Sequence, residues 1–462
     1  MAGAVRGALV SAAVAGTAPE RAGLDTGFEA FAAARPANEP EWLTALRRTA
    51  IARFRELGLP TMRDEDWRHT PLTPIARASF VVPPREARVA AGRLGDVMFG
   101  RGFEGHQVVV VNGRLAPDRT SGASRSGIRV MSLAEALERE PQVIQADLDA
   151  VARERGSAFA ALNTAFLEDG VLVDVPAGAG EASCVHVVHY ATSEGAAGPT
   201  VSHPRVLVRV GRTAQVTVVE SFTGPDGDAY FTNAVTEFVL GEGAIVDHYR
   251  VQREGDRAVH VATLAVRQGR DSRFGSHAIT LGATLSRLEV DQVFAGAGAE
   301  CALLGLFMGD GRQHHDTHTR IDHAQPHCTS REVYKGVLGG RARGVFVGRI
   351  LVRKDAQKTD AQQTNKNLLL SREALVHSVP QLEILADDVK CKHGSTTGQI
   401  DPAALFYLRS RGIGETAARS LLVYAFASDL VGRIKVEPLR AGLGEYLRTH
   451  LPDVAEVEEA VV

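Results

Sequence analysis

A cysteine and a histidine two residues apart, Cys391 and His393, are the side chains of this sequence best placed for metal chemistry. They end the sixty-residue segment from Lys335 to Gly394, which has the pattern of a stack of short strands. Alternate residues of a strand share a face, so both side chains point the same way, opposite to Lys392. A thiolate and an imidazole on one face are ligands for iron or an iron-sulfur species. Two ligands are too few for a complete site, so we expect another chain to supply the rest.

The densest set of possible ligands lies elsewhere, between Gly311 and Cys328. It comprises His314, His315, His318, His323, His327 and Cys328. Imidazoles at these spacings are compatible with zinc, but the helical HExxH frame is missing. Strand alternation would also send neighbouring His314 and His315 to opposite faces. Two interpretations stay open: a metal site, or histidines that form hydrogen bonds within and at the edges of a β stack.

A large fold must position these residues, because 462 residues predict two or three structural units. A hydrophobic content of 44% and a charged content of 23% are those of an ordinary soluble globular protein. The formal net charge of -3 gives no reason to expect nucleic acid as a partner. No apolar run approaches the roughly 20 residues that cross a bilayer. The four scattered cysteines form no CxxC pair, which argues against a disulfide framework and predicts a reduced, cytoplasmic location.

From about Gly170 to Gly398 the sequence is an almost unbroken series of valine-rich strand patterns separated by short turns. Such a region forms a sandwich, a barrel or a β-solenoid. The coils of a solenoid can satisfy side-chain amides from turn to turn, and one stretch is rich in amides: Gln362, Gln363, Asn365 and Asn367. Although no clear period is visible, we predict a mainly β protein with a β-solenoid core.

Helical patterns precede and interrupt this region. An amphipathic helix is predicted from about Glu41 to Glu56, with Gly58 as its stop signal. A serine-capped helix is predicted from Ser132 to Glu140. The apolar stretch from Ala8 to Gly16 is either a signal peptide or part of an unstructured leader.

The pattern changes again at Asp401, which can cap a helix whose first turn accommodates Pro402. Gly412 would end that helix, and a second helix is predicted from Glu415 to Val431. The apolar face of the second helix comprises Ala418, Leu421, Leu422, Ala425 and Phe426. We therefore predict three domains: a leader and helical domain (residues 1–100), a β core (101–398) with a helical interruption near 132–165, and a C-terminal helical domain (399–462).

Three motifs occur in order: KTDAQQTNKNLLLS from Lys358, PQLEILADDVKCKHGSTTGQID from Pro380 and LFYLRSRGI from Leu405. Together they resemble the core signature of the SufB/SufD family of iron-sulfur cluster assembly scaffolds, and its SufD branch more than its SufB branch. The resemblance extends from roughly Asn163 to Val436, with a looser fit of the N-terminal helical part. It implies a right-handed parallel β-helix between N- and C-terminal helical domains.

The resemblance also implies a role for His393, which matches a family histidine that faces SufB. There it would help to hold iron or a nascent cluster, with Cys391 as a second group of this shared, transient site. SufB has a cysteine where this chain has Asn365, and a glutamate where it has Gly394. Both differences point to the SufD branch and imply that the lone chain holds no stable cluster. Whether a flavin takes part is left open.

The partners that the resemblance implies are SufB, bound through the β-helix, and the ATPase SufC, bound on the C-terminal helices. The chain itself would be a non-catalytic scaffold, and two copies could pair when SufB is missing. It has neither a GxxxxGK[ST] nor a GxGxxG pattern for phosphate, which agrees with ATP hydrolysis by SufC. The residues expected to bind SufC are Leu405, Phe406, Tyr407, Arg409, Arg411, Leu421, Leu422 and Phe426.

The competing hypothesis is a self-contained, metal-dependent β-helical enzyme that uses the histidines between His314 and Cys328. An enzyme acting on sugars usually needs paired carboxylates with flanking aromatic residues. The sequence shows no such pair, and its aromatic content is only 6%. Copurification separates the two hypotheses, since a scaffold retains an ATPase and a paralogue whereas an enzyme need not.

Overall fold

The computed structural model describes residues 23–85, 87, 89, 94, 103, 105–120, 127–179 and 183–451. The predicted leader, including Ala8 to Gly16, and residues 452–462 at the C-terminus therefore lie outside the described residues. Within the described ranges, no helix is long and apolar enough to cross a membrane.

The valine-rich segments form the strands, because β-branched side chains suit the pleated surface of a sheet. The strands of the described residues are β1 (His106–Val111), β2 (Arg114–Leu115), β3 (Arg129–Ser132), β4 (Val171–Val175), β5 (Ser183–Tyr190), β6 (Thr200–Ser202), β7 (Arg205–Val210), β8 (Gln215–Thr223), β9 (Tyr230–Leu240), β10 (Ile245–Arg253), β11 (Val259–Gln268), β12 (Arg273–Thr280), β13 (Leu285–Phe294), β14 (Glu300–Gly309), β15 (His314–His323), β16 (Thr329–Leu338), β17 (Arg343–Val352), β18 (Asp360–Leu369), β19 (Leu375–Ile384) and β20 (Lys390–Gly398).

Consecutive strands from β7 onward alternate between two sheets, so each coil of the chain adds one strand to each sheet. One sheet runs from β5 through the even-numbered strands to β20, and the other runs from β4 and β7 through the odd-numbered strands to β19. Neighbouring strands along these runs are parallel and in register. The result is a mainly β protein whose solenoid has about seven turns, with helices at both ends, and the predicted fold class is confirmed.

The lumen between the two sheets holds the main hydrophobic core. Phe238 and Phe274 pack there with 5.2 Å between their ring centroids, and Phe294 and Phe346 are fully buried. Burial of such surface contributes about 25 cal/mol per Å², which makes it the main source of stability. The amide-rich stretch on β18 forms hydrogen bonds between neighbouring coils, as the sequence suggested. Asn365 is buried, and its Nδ2 donates to the carbonyl oxygen of Tyr334 in the preceding coil at 3.2 Å.

The helices of the described residues are α1 (Phe28–Ala33), α2 (Glu41–Leu57), α3 (Thr73–Ala76), α4 (Leu133–Arg139), α5 (Pro141–Ile144), α6 (Ala158–Ala165), α7 (Pro402–Ser410), α8 (Glu415–Val431) and α9 (Glu437–His450). Short 3-10 turns lie at Glu65–Trp67, Pro117–Arg119 and Ala152–Arg155. Helix α2 matches the amphipathic helix predicted from Glu41, and Ser132 caps α4 by accepting a hydrogen bond from the backbone N–H of Glu135. Both local predictions are confirmed.

The C-terminal helices begin and end where the sequence signals lie. Asp401 caps α7 by accepting a hydrogen bond from the N–H of Ala403 at 2.9 Å, and Gly412 follows it with a φ of 89°. Helix α8 has the predicted bounds, whereas α9 was not predicted. Helices α8 and α9 cover the outer face of the even-numbered sheet, where Leu430 and Leu443 join an apolar cluster with Val251 and Leu306.

Candidate functional site

The solenoid has two unlike ends. At the start, β1 and β3 cover the first coils, and Val108 and Val110 of β1 are fully buried in the lumen core. At the other end, no strand among the described residues pairs with the far side of β19 or β20. Every residue of β20 is at least partly exposed, and so are Leu375 and Ile384 of β19, each about 40% exposed. We call this uncovered last coil, β19 and β20, the open end.

Cys391 and His393 both lie on the lumen side of the open end. In the register of β20 with β18, Cys391 stacks on Ala361 and His393 stacks on Gln363, and both of these partners are buried. Cys391 is half-buried against the lumen core, and burial raises the pKa of its thiol. His393 is exposed. The strand alternation therefore places the two side chains as the sequence suggested, but only the imidazole is freely accessible.

A buried polar chain lies directly behind His393. Glu332 on β16 stacks beneath Gln363 on β18, and Gln363 stacks beneath His393. The Nε2 of Gln363 donates to Oε2 of Glu332 at 2.6 Å. Burial raises the pKa of Glu332 to about 7, against the opposing effect of nearby Thr319 and of the hydrogen bond from Gln363. Sequence analysis missed Glu332, because only the stacking of coils about 30 residues apart brings it to this site.

The histidines of β15 are divided between its two faces, and on the outward face His318 contacts Asp316, with its Nε2 3.1 Å from Oδ1. His314 points outward, where its Nε2 lies 3.1 Å from Oγ1 of Thr70. His315 points into the lumen, with its Nε2 3.1 Å from the carbonyl oxygen of Met308. Across the described part of the chain, no group of three or more His, Cys, Asp or Glu side chains is arranged to hold a metal ion. Nothing here favours the competing metal-dependent enzyme, and the positions of these histidines agree with a structural role.

Two of the remaining cysteines, Cys301 and Cys328, lie in the same lumen core as Cys391, and the third, Cys184, packs against the outer cluster beneath α8 and α9. Cys301 and Cys328 are buried, and Cys184 is half-buried. Burial raises the pKa of all three thiols, that of Cys184 to about 12. These thiols are therefore protonated at neutral pH, whereas iron and sulfur chemistry uses the thiolate.

Helix α7 presents an unusually apolar surface. None of its residues, all of which are described, is buried, and Phe406 and Tyr407 are 74% and 56% exposed. Leu405 is half-buried, and Arg409 is exposed. The guanidinium of Arg411 donates to the hydroxyl of Tyr407 at 2.9 Å. Large exposed aromatic side chains beside arginines are typical of binding surfaces.

On α8 the residues most deeply buried against the rest of the fold are not the predicted docking residues. Val423, Ala427 and Leu430 are buried, whereas the predicted docking residues Leu421, Leu422 and Phe426 are half-buried. The latter three residues are thus partly accessible, although the ring of Phe426 also contacts Lys335 of the solenoid. Together with α7 they form what we call the C-terminal surface.

One lysine ties α8 to the solenoid. Lys335 on β16 is 7% exposed, and its Nζ donates to the carbonyl oxygen of Phe426 at 2.8 Å. The same ammonium lies 2.7 Å from Oδ2 of Asp429 and 4.7 Å from the centre of the Phe426 ring. The buried ammonium thus has three contacts on α8, while the carboxylate of Asp429 stays half exposed. Lys335 was not singled out from the sequence.

Comparison with known proteins agrees with these features. A family model for the SufBD core domain of the SUF system for FeS cluster assembly matches residues 190–426, and a model for the SufBD protein N-terminal region matches residues 26–187. An iron-sulfur cluster assembly SufBD family protein of Synechocystis is 34% identical over 88% of this chain and 90% of the relative. The iron-sulfur cluster assembly protein SufD of Escherichia coli is 30% identical over 92% of this chain and 95% of that protein.

A third relative, a SufBD family protein of Mycobacterium tuberculosis, is 34% identical over 57% of this chain and 67% of its own length. The matches span both the helical N-terminal region and the solenoid, and the predicted similarity to SufD is confirmed. The chain belongs to the SufBD family of iron-sulfur cluster assembly proteins.

Proposed function

We propose that this chain is a non-catalytic scaffold subunit that assembles iron-sulfur clusters with a SufB-type paralogue and a SufC-type ATPase. The observation that supports this best is the open end, because an uncovered coil with exposed apolar residues needs a partner. In this proposal the paralogue covers β19 and β20, and His393 contributes to the junction where iron or the nascent cluster is held. The cluster is the cargo of the complex and is completed by ligands from the paralogue.

The C-terminal surface is the proposed docking site for the ATPase. Its apolar side chains on α7 are exposed while α8 and α9 are fixed to the solenoid, so the surface is presented on a rigid base. An apolar helix face that lies in a groove of the partner is a common mode of recognition. We place the complex in the cytoplasm, since the four cysteines are free thiols.

The experiment that tests the role of the open end is replacement of His393 by alanine in the complex copurified from cells. We expect a several-fold fall in iron and acid-labile sulfide per complex, because loss of one ligand weakens the affinity and the geometry of a shared site. The subunit composition should not change, since one interface side chain rarely decides a large assembly. Lys392→Ala is the matched control, because its side chain lies on the opposite face of the same strand.

Cys391→Ala should lower the cluster content less than His393→Ala, because the thiol packs against the lumen core. Normal iron and sulfide in the His393→Ala complex, at normal composition, would contradict the proposed role of His393. Loss of the paralogue from the complex would instead indicate that His393 acts in assembly of the subunits.

A further inference from the structure

At the open end of the solenoid, two buried polar side chains lie behind His393 in the lumen. Glu332, Gln363 and His393 occupy equivalent positions on β16, β18 and β20, so their side chains form one file along the lumen. Parallel strands in register stack about 4.8 Å apart. Glu332 and Gln363 are 1% and 2% exposed, while His393 ends the file at the surface.

The amide of Gln363 has little freedom. On the opposite sheet Gly348 leaves the space that this amide occupies, since a Cβ there would collide with Nε2 of Gln363. The same Nε2 donates to Oε2 of Glu332 at 2.6 Å. A carboxyl group offers an acceptor oxygen whether it is ionised or protonated. The orientation of the amide is therefore set from two sides, by a steric fit and by a hydrogen bond.

The other end of the amide lacks a partner. Oε1 of Gln363 is buried and accepts no hydrogen bond from any residue that the structure describes. A buried acceptor without a donor is unfavourable by about 1 to 3 kcal/mol, so the site favours a donor that can approach it. The nearest side chain along the file on the side of the open end is the imidazole of His393, which carries one N–H in its neutral form.

We propose that Gln363, held by Glu332, is a positioning residue for His393: when the imidazole turns toward the lumen it donates its N–H to Oε1 of Gln363, so that the other, unprotonated ring nitrogen faces the junction and can bind iron. This inference rests on the proposed function of the open end. Histidines that bind metals commonly donate their second N–H to a fixed acceptor, which sets the tautomer and the orientation of the ring. Here the acceptor belongs to the solenoid itself and is in place before any partner binds.

The test measures the tautomer of His393 by nitrogen NMR of the histidine rings in the full-length chain without metal. The signal is assigned by its absence from His393→Ala, which is needed because the chain has 16 histidines. We expect one dominant tautomer in the unmodified protein and a mixture in Gln363→Met, which keeps the size of the side chain but removes the amide. Gln362→Met is the matched control, since it makes the same change on the outward face of β18 and should leave the tautomer unchanged.

A tautomer ratio in Gln363→Met equal to that of the unmodified protein, in a folded chain, would overturn the proposal. Should that variant not fold, Glu332→Met provides the second measurement: it removes the acceptor of the Gln363 amide with a side chain of similar size, and it must also shift the ratio. Iron and sulfide content of the complex is scored separately, and Gln363→Met should lower it several-fold. Failure of the proposed function would appear as normal cluster content in His393→Ala, whereas failure of this inference appears in the tautomer alone.

Discussion

Glu332 illustrates how the lumen changes the chemistry of a single carboxyl group. Burial raises its pKa to about 7 from an ordinary value of 4.5. The folded state therefore binds more protons than the unfolded state between these two pH values. By linkage, the contribution of Glu332 to stability is most favourable below pH 4.5 and is lost as the pH rises through 7.

We expect Glu332→Gln to become more stable relative to the unmodified protein as the pH rises from 5 to 8. The gain in the free energy of unfolding should be roughly 2 kcal/mol over this range, because the amide carries no charge to bury. Chemical denaturation at both pH values measures it. Glu254→Gln is the control: burial alone would raise the pKa of Glu254, but its contacts with His260 outweigh burial and lower it. That variant should therefore gain no stability at high pH, and a pH-independent difference for Glu332→Gln would contradict the prediction.

His393 and Cys391 could be found from the sequence because their types and spacing are informative within one strand. Glu332 could not, since it lies next to Arg331 in a segment that resembles any strand with a few charged residues. Its significance comes from Gln363, which is 31 residues further along the chain and directly adjacent in space. Only the register between coils contains that information.

Among the elements, α7 has the clearest binding potential, because its aromatic residues contribute nothing to the core. We expect Phe406→Asp to weaken binding of the ATPase at least ten-fold while the thermal unfolding temperature stays unchanged, since the side chain is 74% exposed. Titration calorimetry and a thermal scan of the full-length chain make the two measurements. Ser410→Asp, an equally charged change at an exposed position of the same helix, is the control. Undiminished binding by Phe406→Asp would remove α7 from the docking surface.

The bounds of α7 and α8 followed from local signals, namely the cap at Asp401 and the glycine at 412. The orientation of α8 did not. Apolar residues run without interruption from Leu421 to Ala427, so periodicity could not show which side packs against the solenoid. The surface of the sheet beneath the helix decides which side of α8 packs against it, and Lys335 is part of that surface.

At the scale of the whole molecule, the two ends of the solenoid and the burial of the thiols define what the chain can do alone. We expect the purified chain to carry no stoichiometric iron-sulfur cluster after anaerobic reconstitution, because no three potential ligands group together among the described residues and burial raises the pKa values of all four thiols. Iron and sulfide analysis with visible absorption measures this. Strong absorption from a stoichiometric cluster would contradict the proposal that the paralogue completes the site, and loss of that signal in Cys328→Ala would locate it.

The solenoid could be predicted from its amide-rich stretch, but its repeat could not be seen in the sequence. The coils differ in length: equivalent positions are 26 residues apart from Val259 to Leu285, and 32 residues apart from Arg343 to Leu375. Turns of variable length are tolerated because they lie outside the lumen, while the strands stay in register. A fixed period is therefore lost even though the stacking is regular.

The anchoring of α8 at Lys335 has a mechanical consequence. β16 is separated from β20 by a single strand, β18, and the three are joined by continuous rows of backbone hydrogen bonds. A pull on α8 would therefore be transmitted to β16 and, within two steps of about 4.8 Å each, to the strand that carries His393. The C-terminal surface and the open end are thus connected by three hydrogen-bonded strands. A displacement imposed on one of them by a moving partner would therefore strain the other.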